Sequence, residues 1–268
     1  YLETEYENYF KKIIQIVNKN DIEILFIYIP EFENLKFDYF EKFYTKIVHK
    51  YKKPILNMKK VINEYNKDQI FLLPYDHHFT RFTNNLIASE LVKLEQKINK
   101  INQKNFYCKS FEGPFRKNFS YDVTVKNNYP YVVRTNFLGF RDANNTNLDN
   151  SSYIHFILGD SFTHGPYLSN EDTYPYFYSK KLISNNSKIS SNTQVVNAGV
   201  SSYTIRDYYN ILNQYIDCEK VDFIIIQITD NDLLDLSSLN YNRYNFLNEI
   251  IAMSESEKNY YNFLLKND

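Results

Sequence analysis

The chain has 268 residues, 43% apolar and 24% charged, enough for one large α/β domain or two small ones with a real core. Its 31 basic and 32 acidic residues are interspersed and sum to −1, which leaves no electrostatic footprint for nucleic acid or an anionic membrane surface. Two cysteines, Cys108 and Cys218, are too few for a disulfide framework or a zinc site, and no apolar run approaches the roughly 20 residues of a membrane span.

In chain order, Tyr6, Phe10, Ile13, Ile14 and Val17 lie on one stripe of a helix over 5–19. Residues 22–29 are short, β-branched and nearly all apolar, and Pro30 stops them, so they read as a buried parallel strand. Helices are expected over about 36–51 and 58–66, with Pro54 between them and a short strand at 55–57. Residues 70–79, with Pro74, read as irregular, and a helix follows over about 81–98. From 104 to 150 periodicity is weak, with short strands only at 121–125 and 131–135.

The pattern then becomes regular: strand 153–158, helix about 172–183, strand 194–197, helix about 204–217, strand 222–228. This alternation predicts a parallel sheet covered on both faces, with chemistry at the carboxyl ends of its strands. The 26 Tyr and 21 Phe, beside only five Gly, read as drift of an AT-rich coding sequence rather than as function. The chain begins at Tyr1 rather than Met, so the lack of a leader says nothing about compartment.

Four segments carry residues able to do chemistry. Residues 157–165, Ile-Leu-Gly-Asp-Ser-Phe-Thr-His-Gly, follow a buried strand and set the Ser161 hydroxyl at the active edge of the sheet. A hydroxyl needs a base within hydrogen-bond reach and a third group to orient that base; alone, the serine serves equally as a helix cap. In residues 195–204, Gly199 allows the backbone to approach a ligand and aim its N–H at developing negative charge, or simply turns the chain with Thr204 as N-cap. In residues 228–232, Ile-Thr-Asp-Asn-Asp, the Asn231 carboxamide can donate to an oxyanion, although Asp and Asn also favour plain turns. In residues 72–80, Leu-Leu-Pro-Tyr-Asp-His-His-Phe-Thr, Asp76 stands two residues before His78, so it can hold one ring nitrogen and leave the other as base. His49, His155 and His164 show no metal-ligand spacing, and neither a metal nor an organic cofactor is expected.

Together these segments resemble the four sequence blocks of the SGNH (GDSL-like) hydrolases: a GDS serine, a glycine, a G-x-N-D asparagine, and an Asp/His pair before a final helix. Residues 134–141, Arg-Thr-Asn-Phe-Leu-Gly-Phe-Arg, also look like the N-x-x-G-F-R stretch that leads into the GDS strand in bacterial members. The resemblance implies a three-layer α/β/α, flavodoxin-like fold with a mostly parallel sheet of about five strands. It implies Ser161 as nucleophile, His78 as general base and Asp76 as its orienting group, with an oxyanion hole from the N–H groups of Ser161 and Gly199 and the Asn231 side chain. Asp160 and Asp232 would stabilise loops, and His77 and His164 would be bystanders. The implied function is a serine esterase or acyl hydrolase acting on a small-molecule or glycan ester, with glycan O-acetyl groups as the leading substrate. An acyltransferase with the same triad and a non-catalytic binding module are the alternatives.

The chain departs from the family in two side chains, in one spacing and in order. Thr229 stands for the usual Gly, Thr83 for another Gly, and the Asp–His spacing is two where many members have three, although the two-residue form also occurs in the family. The Asp/His block comes first rather than last, so residues 1–98 resemble the family's C-terminal part and 105–268 its N-terminal part. Either a circular permutant or the junction of two tandem copies fits. Residues 1–98 alone hold too few strands for a sheet covered on both faces, which favours one closed domain.

Overall fold

The computed structural model describes residues 1–74, 76–95, 113–123, 131–141, 153–184, 193–215 and 221–236. Its first part runs α1 (Leu2–Lys19), β1 (Glu23–Ile29), α2 (Tyr39–Lys50), β2 (Ile55–Asn57), α3 (Met58–Ile62), α4 (Lys67–Ile70) and α5 (Arg81–Glu95). The second runs β3 (Ser120–Val123), β4 (Tyr131–Arg134), β5 (Tyr153–Gly159), α6 (Ser161–His164), α7 (Tyr174–Ser184), β6 (Thr193–Gly199), α8 (Ile205–Tyr215), β7 (Phe223–Thr229) and α9 (Asn231–Leu234). Cys108, Cys218 and the expected helix ends at 96–98 and 216–217 lie outside the described residues.

Five strands form one sheet in the order β2-β1-β7-β5-β6, and every neighbouring pair is parallel. Strands β3 and β4 pair antiparallel as a separate ribbon. The helix expected over 58–66 ends at Ile62, and a separate short one, α4, follows it. Asn57 caps α3 by accepting the Lys59 N–H at 3.0 Å, while Asn66 and Gln69 close a capping box on α4.

The strands alternate between two cores. Ile24, Phe26 and Tyr28 of β1 and Ile224, Ile226 and Ile228 of β7 face a cluster with Tyr6, Phe10 and Ile13 of α1 and Tyr208 and Leu212 of α8. Leu25, Ile27 and Ile29 of β1 and Phe223 and Ile225 of β7 face a second cluster with Ile87 and Leu91 of α5 and Tyr178 and Leu182 of α7. This makes three layers, helices on sheet on helices, and each buried aliphatic or aromatic side chain contributes about 1.5–3 kcal/mol relative to exposure.

Strand register positions the site. β1 pairs with β7 from Glu23↔Phe223 to Ile29↔Thr229, and β5 with β6 from Tyr153↔Thr193 to Gly159↔Gly199. Each pair therefore ends level, and the chain leaves all four strands on the same edge of the sheet.

Candidate active site

Ser161 opens α6, two residues past the end of β5, and is 7% exposed. Asp160 caps that turn by accepting the Phe162 N–H at 2.9 Å. Gln227 of β7 braces it from the next strand: its Oε1 accepts the Asp160 N–H at 3.1 Å and the Thr163 hydroxyl at 2.9 Å. A Cβ on Gly159 would fall 2.0 Å from Thr163 Oγ1 and 2.4 Å from Gln227 Oε1, so only glycine lets α6 settle against the sheet here.

His78 rides on the 70–80 loop, which is tied at its base like a hairpin. Phe71 and Phe79 form an antiparallel bridge, Leu72 N–H donates to the His78 carbonyl at 3.0 Å, and Thr80 N–H donates to the Ile70 carbonyl at 2.9 Å. Asp76 Oδ1 accepts the His78 backbone N–H at 2.7 Å and also bonds Nδ1 of the same ring. The other ring nitrogen, Nε2, lies 2.8 Å from Ser161 Oγ across 83 residues of chain. Burial pushes the Asp76 carboxyl up, but hydrogen bonds from His78 and from Tyr167 outweigh it and hold the group below its ordinary range, so it is ionised at neutral pH. Tyr167, in a left-handed backbone conformation at φ 63°, sits with its ring 6.2 Å from that of His78.

The Gly199 N–H donates to Asn197 Oδ1 at 3.0 Å. A Cβ there would lie 2.5 Å from the His164 backbone nitrogen, so Gly199 allows close packing of β6 against α6. Three residues on, Ser202 reaches the cavity, at φ 65° in a turn closed by Tyr203 N–H to the Val200 carbonyl at 3.2 Å. Asn231 also lines the cavity, and its Oδ1 is buried without a hydrogen-bond partner among the described residues. Asp232 ties its own loop, accepting the Thr229 N–H at 2.7 Å and the Tyr208 hydroxyl at 3.0 Å, which gives the threonine a settled place.

The cavity is about 370 Å³ and is lined by Glu31, Phe32, Glu33, His77, His78, Ser161, Phe162, Ser202, Asn231 and Asp235. His77 is therefore a wall residue: it pairs with Glu33 and packs on Phe32 with ring centroids 4.6 Å apart. His164 lies behind, fully buried, with Nδ1 3.3 Å from the Gly199 carbonyl. Glu31, Ser202, Tyr167 and Gln227 escaped the sequence reading. An acidic residue just past Pro30 at a strand end was the available signal for Glu31, and a lone Gln inside an apolar strand was that for Gln227. Among the described residues, no group of three or more His, Cys, Asp or Glu is arranged to hold a metal ion, and no helix is long and apolar enough to cross a membrane.

No family model matches the chain, and no curated protein is similar to it in sequence. Among solved structures it is similar to the O-acetyltransferase domain of Pseudomonas putida AlgJ, with a TM-score of 0.54 and 10% identity over 91% of this chain and 88% of that one. Bacillus cereus PatB1 with a sulfonyl adduct aligns with a TM-score of 0.43 and 12% identity, over 86% and 88% of the two chains. PatB1 without the adduct gives 0.43 and 13%, over 87% and 90%. The likeness to the AlgJ domain is one of fold, the α/β architecture with its five-stranded parallel sheet.

Proposed function

We propose that the protein transfers acyl groups from esters through a serine nucleophile, as a hydrolase when water is the acceptor. The observation that carries this reading is the hydrogen-bonded chain from Asp76 through His78 to Ser161 at the mouth of a cavity. Ser161 Oγ attacks the ester carbonyl and passes its proton to His78 Nε2, while Asp76 holds Nδ1–H and stabilises the imidazolium. His78 then gives the proton to the leaving alcohol, and water or another hydroxyl releases the acyl group by the same steps reversed.

For the oxyanion we assign the N–H groups of Ser161 and Ser202 and the carboxamide of Asn231, three residues of the cavity lining; neither serine N–H has a partner among the described residues. Transfer to a sugar hydroxyl is the second reading, favoured by the likeness in fold to an O-acetyltransferase domain. A single domain formed by residues 1–98 and 105–268 is part of the same proposal. It is supported by the pairing of β1 with β7 and by the reach of His78 to Ser161.

A fluorophosphonate probe tests the mechanism. Wild type is expected to label at Ser161, Ser161→Ala not at all, and His78→Ala at least a hundredfold more slowly. Equal labelling of wild type and Ser161→Ala removes the serine mechanism.

A further inference from the structure

Ser161 and His78 stand on separate pieces of the protein, the turn into α6 and the 70–80 loop, and a string of buried hydrogen bonds joins those pieces beneath the site. Its first links grip the base of the loop: at the start of α5 the Thr83 hydroxyl donates to the Ile70 carbonyl at 2.8 Å, and Asn84 Nδ2 donates to the Thr80 carbonyl at 2.9 Å. Asn84 Oδ1 accepts the Tyr174 N–H at 2.9 Å, 90 residues away, and so satisfies the first turn of α7 from a neighbouring helix. The Tyr174 hydroxyl lies 2.7 Å from Thr163 Oγ1, and Thr163 donates in turn to Gln227 Oε1 at 2.9 Å. That same oxygen takes the N–H of Asp160, next to the nucleophile, at 3.1 Å. Because the one Thr163 proton is spent on Gln227, Tyr174 is the donor to Thr163, and each bond runs in a single direction. Burial holds the Tyr174 hydroxyl well above its ordinary range, so it keeps that proton. Asn84, Thr163, Tyr174 and Gln227 are all buried.

We infer that this string of hydrogen bonds sets the distance and angle between His78 Nε2 and Ser161 Oγ, with Tyr174 and Thr163 as positioning residues for acyl transfer. The inference rests on the serine mechanism above and deepens it. Phe79 and Phe162, the neighbours of His78 and Ser161 in sequence, also touch, with ring centroids 4.8 Å apart. A ring contact tolerates sliding, whereas a hydrogen bond fixes length and direction. The base acts only within hydrogen-bond reach of its proton, and a displacement of about 1 Å can cost on the order of a hundredfold in rate. Ile87 and Leu91 of α5 and Leu182 of α7 already supply apolar packing between these helices, so the string adds alignment rather than burial.

Fluorophosphonate labelling tests this without a known substrate: the rate at saturating probe reports the alignment of the pair, and the half-saturating concentration reports the cavity. Tyr174→Phe deletes one oxygen, and Thr163→Val replaces a hydroxyl by a methyl of similar size. Each is expected to lower the saturating rate by roughly threefold to thirtyfold and to leave half-saturation within about twofold. Thr163→Ser keeps the hydroxyl and should label within about threefold of wild type. The double variant Tyr174→Phe/Thr163→Val should be no slower than the slower single, because one string is cut twice. Tyr178→Phe is the control: one turn further along α7, its buried hydroxyl lies 3.0 Å from His155 Nδ1, outside the string. It should lose stability to denaturant as Tyr174→Phe does, yet label at the wild-type rate.

A wild-type rate in either Tyr174→Phe or Thr163→Val, losses that multiply in the double variant, or an equal loss in Tyr178→Phe overturns the positioning role and leaves the serine mechanism standing. A folded wild type that does not label, or labelling that survives Ser161→Ala, overturns the mechanism and the inference together. If Tyr174→Phe does not fold, Thr163→Ser against Thr163→Val decides alone, and equal rates overturn the inference.

Discussion

His78 is oriented by a contact two residues away and reaches a nucleophile 83 residues away, and the two links have different origins. The first is local. An Asp whose carboxylate accepts the N–H of the second residue on is a common turn, so the Asp-x-His spacing carries the pairing within itself and is legible in sequence. Asp76→Asn tests it: an amide can present its NH₂ to Nδ1 and trap the ring with the proton on Nε2, where it cannot accept the serine proton. Steady-state ester hydrolysis is expected to fall on the order of 10³- to 10⁴-fold with folding retained. Tyr167→Phe is expected to be milder, a loss of about threefold to tenfold in kcat with KM little changed, because the lost hydroxyl acts through Asp76. No spacing announces Tyr167, which comes from another segment in a backbone conformation that its side-chain type does not favour.

At the scale of elements, the apolar runs declare β1, β5, β6 and β7 because a strand buried on both faces leaves no polar alternation to confuse with a helix. Their order in the sheet is hidden, since β1 and β7 pair seven residues deep although some 200 residues separate them. Hidden too is the division of labour in the 195–204 segment. A glycine at a strand end signals close approach but not what approaches: at Gly199 it is the backbone of α6, and Ser202, three residues on, lines the cavity. Gly199→Ala separates these roles. The added methyl meets His164 N at 2.5 Å and the Thr163 side chain at 2.6 Å, so β6 and α6 must part. A destabilisation of about 1–3 kcal/mol by denaturant titration is expected, with slower labelling of Ser161 because α6 carries it. Unchanged stability and labelling would mean that the close approach is not needed to hold the nucleophile.

For the molecule as a whole, the buried carboxyl of Glu31 in the cavity lining couples the site to stability. Burial and the charges of Asp230, Asp160, Glu33 and Asp235 raise the Glu31 carboxyl from an ordinary 4.5 to about 8, with His77 and His78 the titratable bases facing the cavity. Between those values the fold holds a proton that the unfolded chain has released. This contribution to stability is full below about 4.5 and is lost as pH rises through about 8. His155, buried against Tyr178 and Phe223, runs the other way: burial lowers it from 6.5 to about 3, so its contribution is present above 6.5 and lost as pH falls through 3. Above 6.5 the histidine no longer varies and the carboxyl does, so Tm is expected to decline from pH 6.5 to 8.5. Glu31→Gln keeps the shape and the hydrogen bonding of the neutral acid without its ionisation. The variant should therefore hold its Tm over that range, matching wild type near pH 4 and exceeding it at pH 8.5. A parallel decline in both proteins would assign the alkaline loss to other buried carboxyls, of which Asp230 and Asp232, both raised by burial, come first.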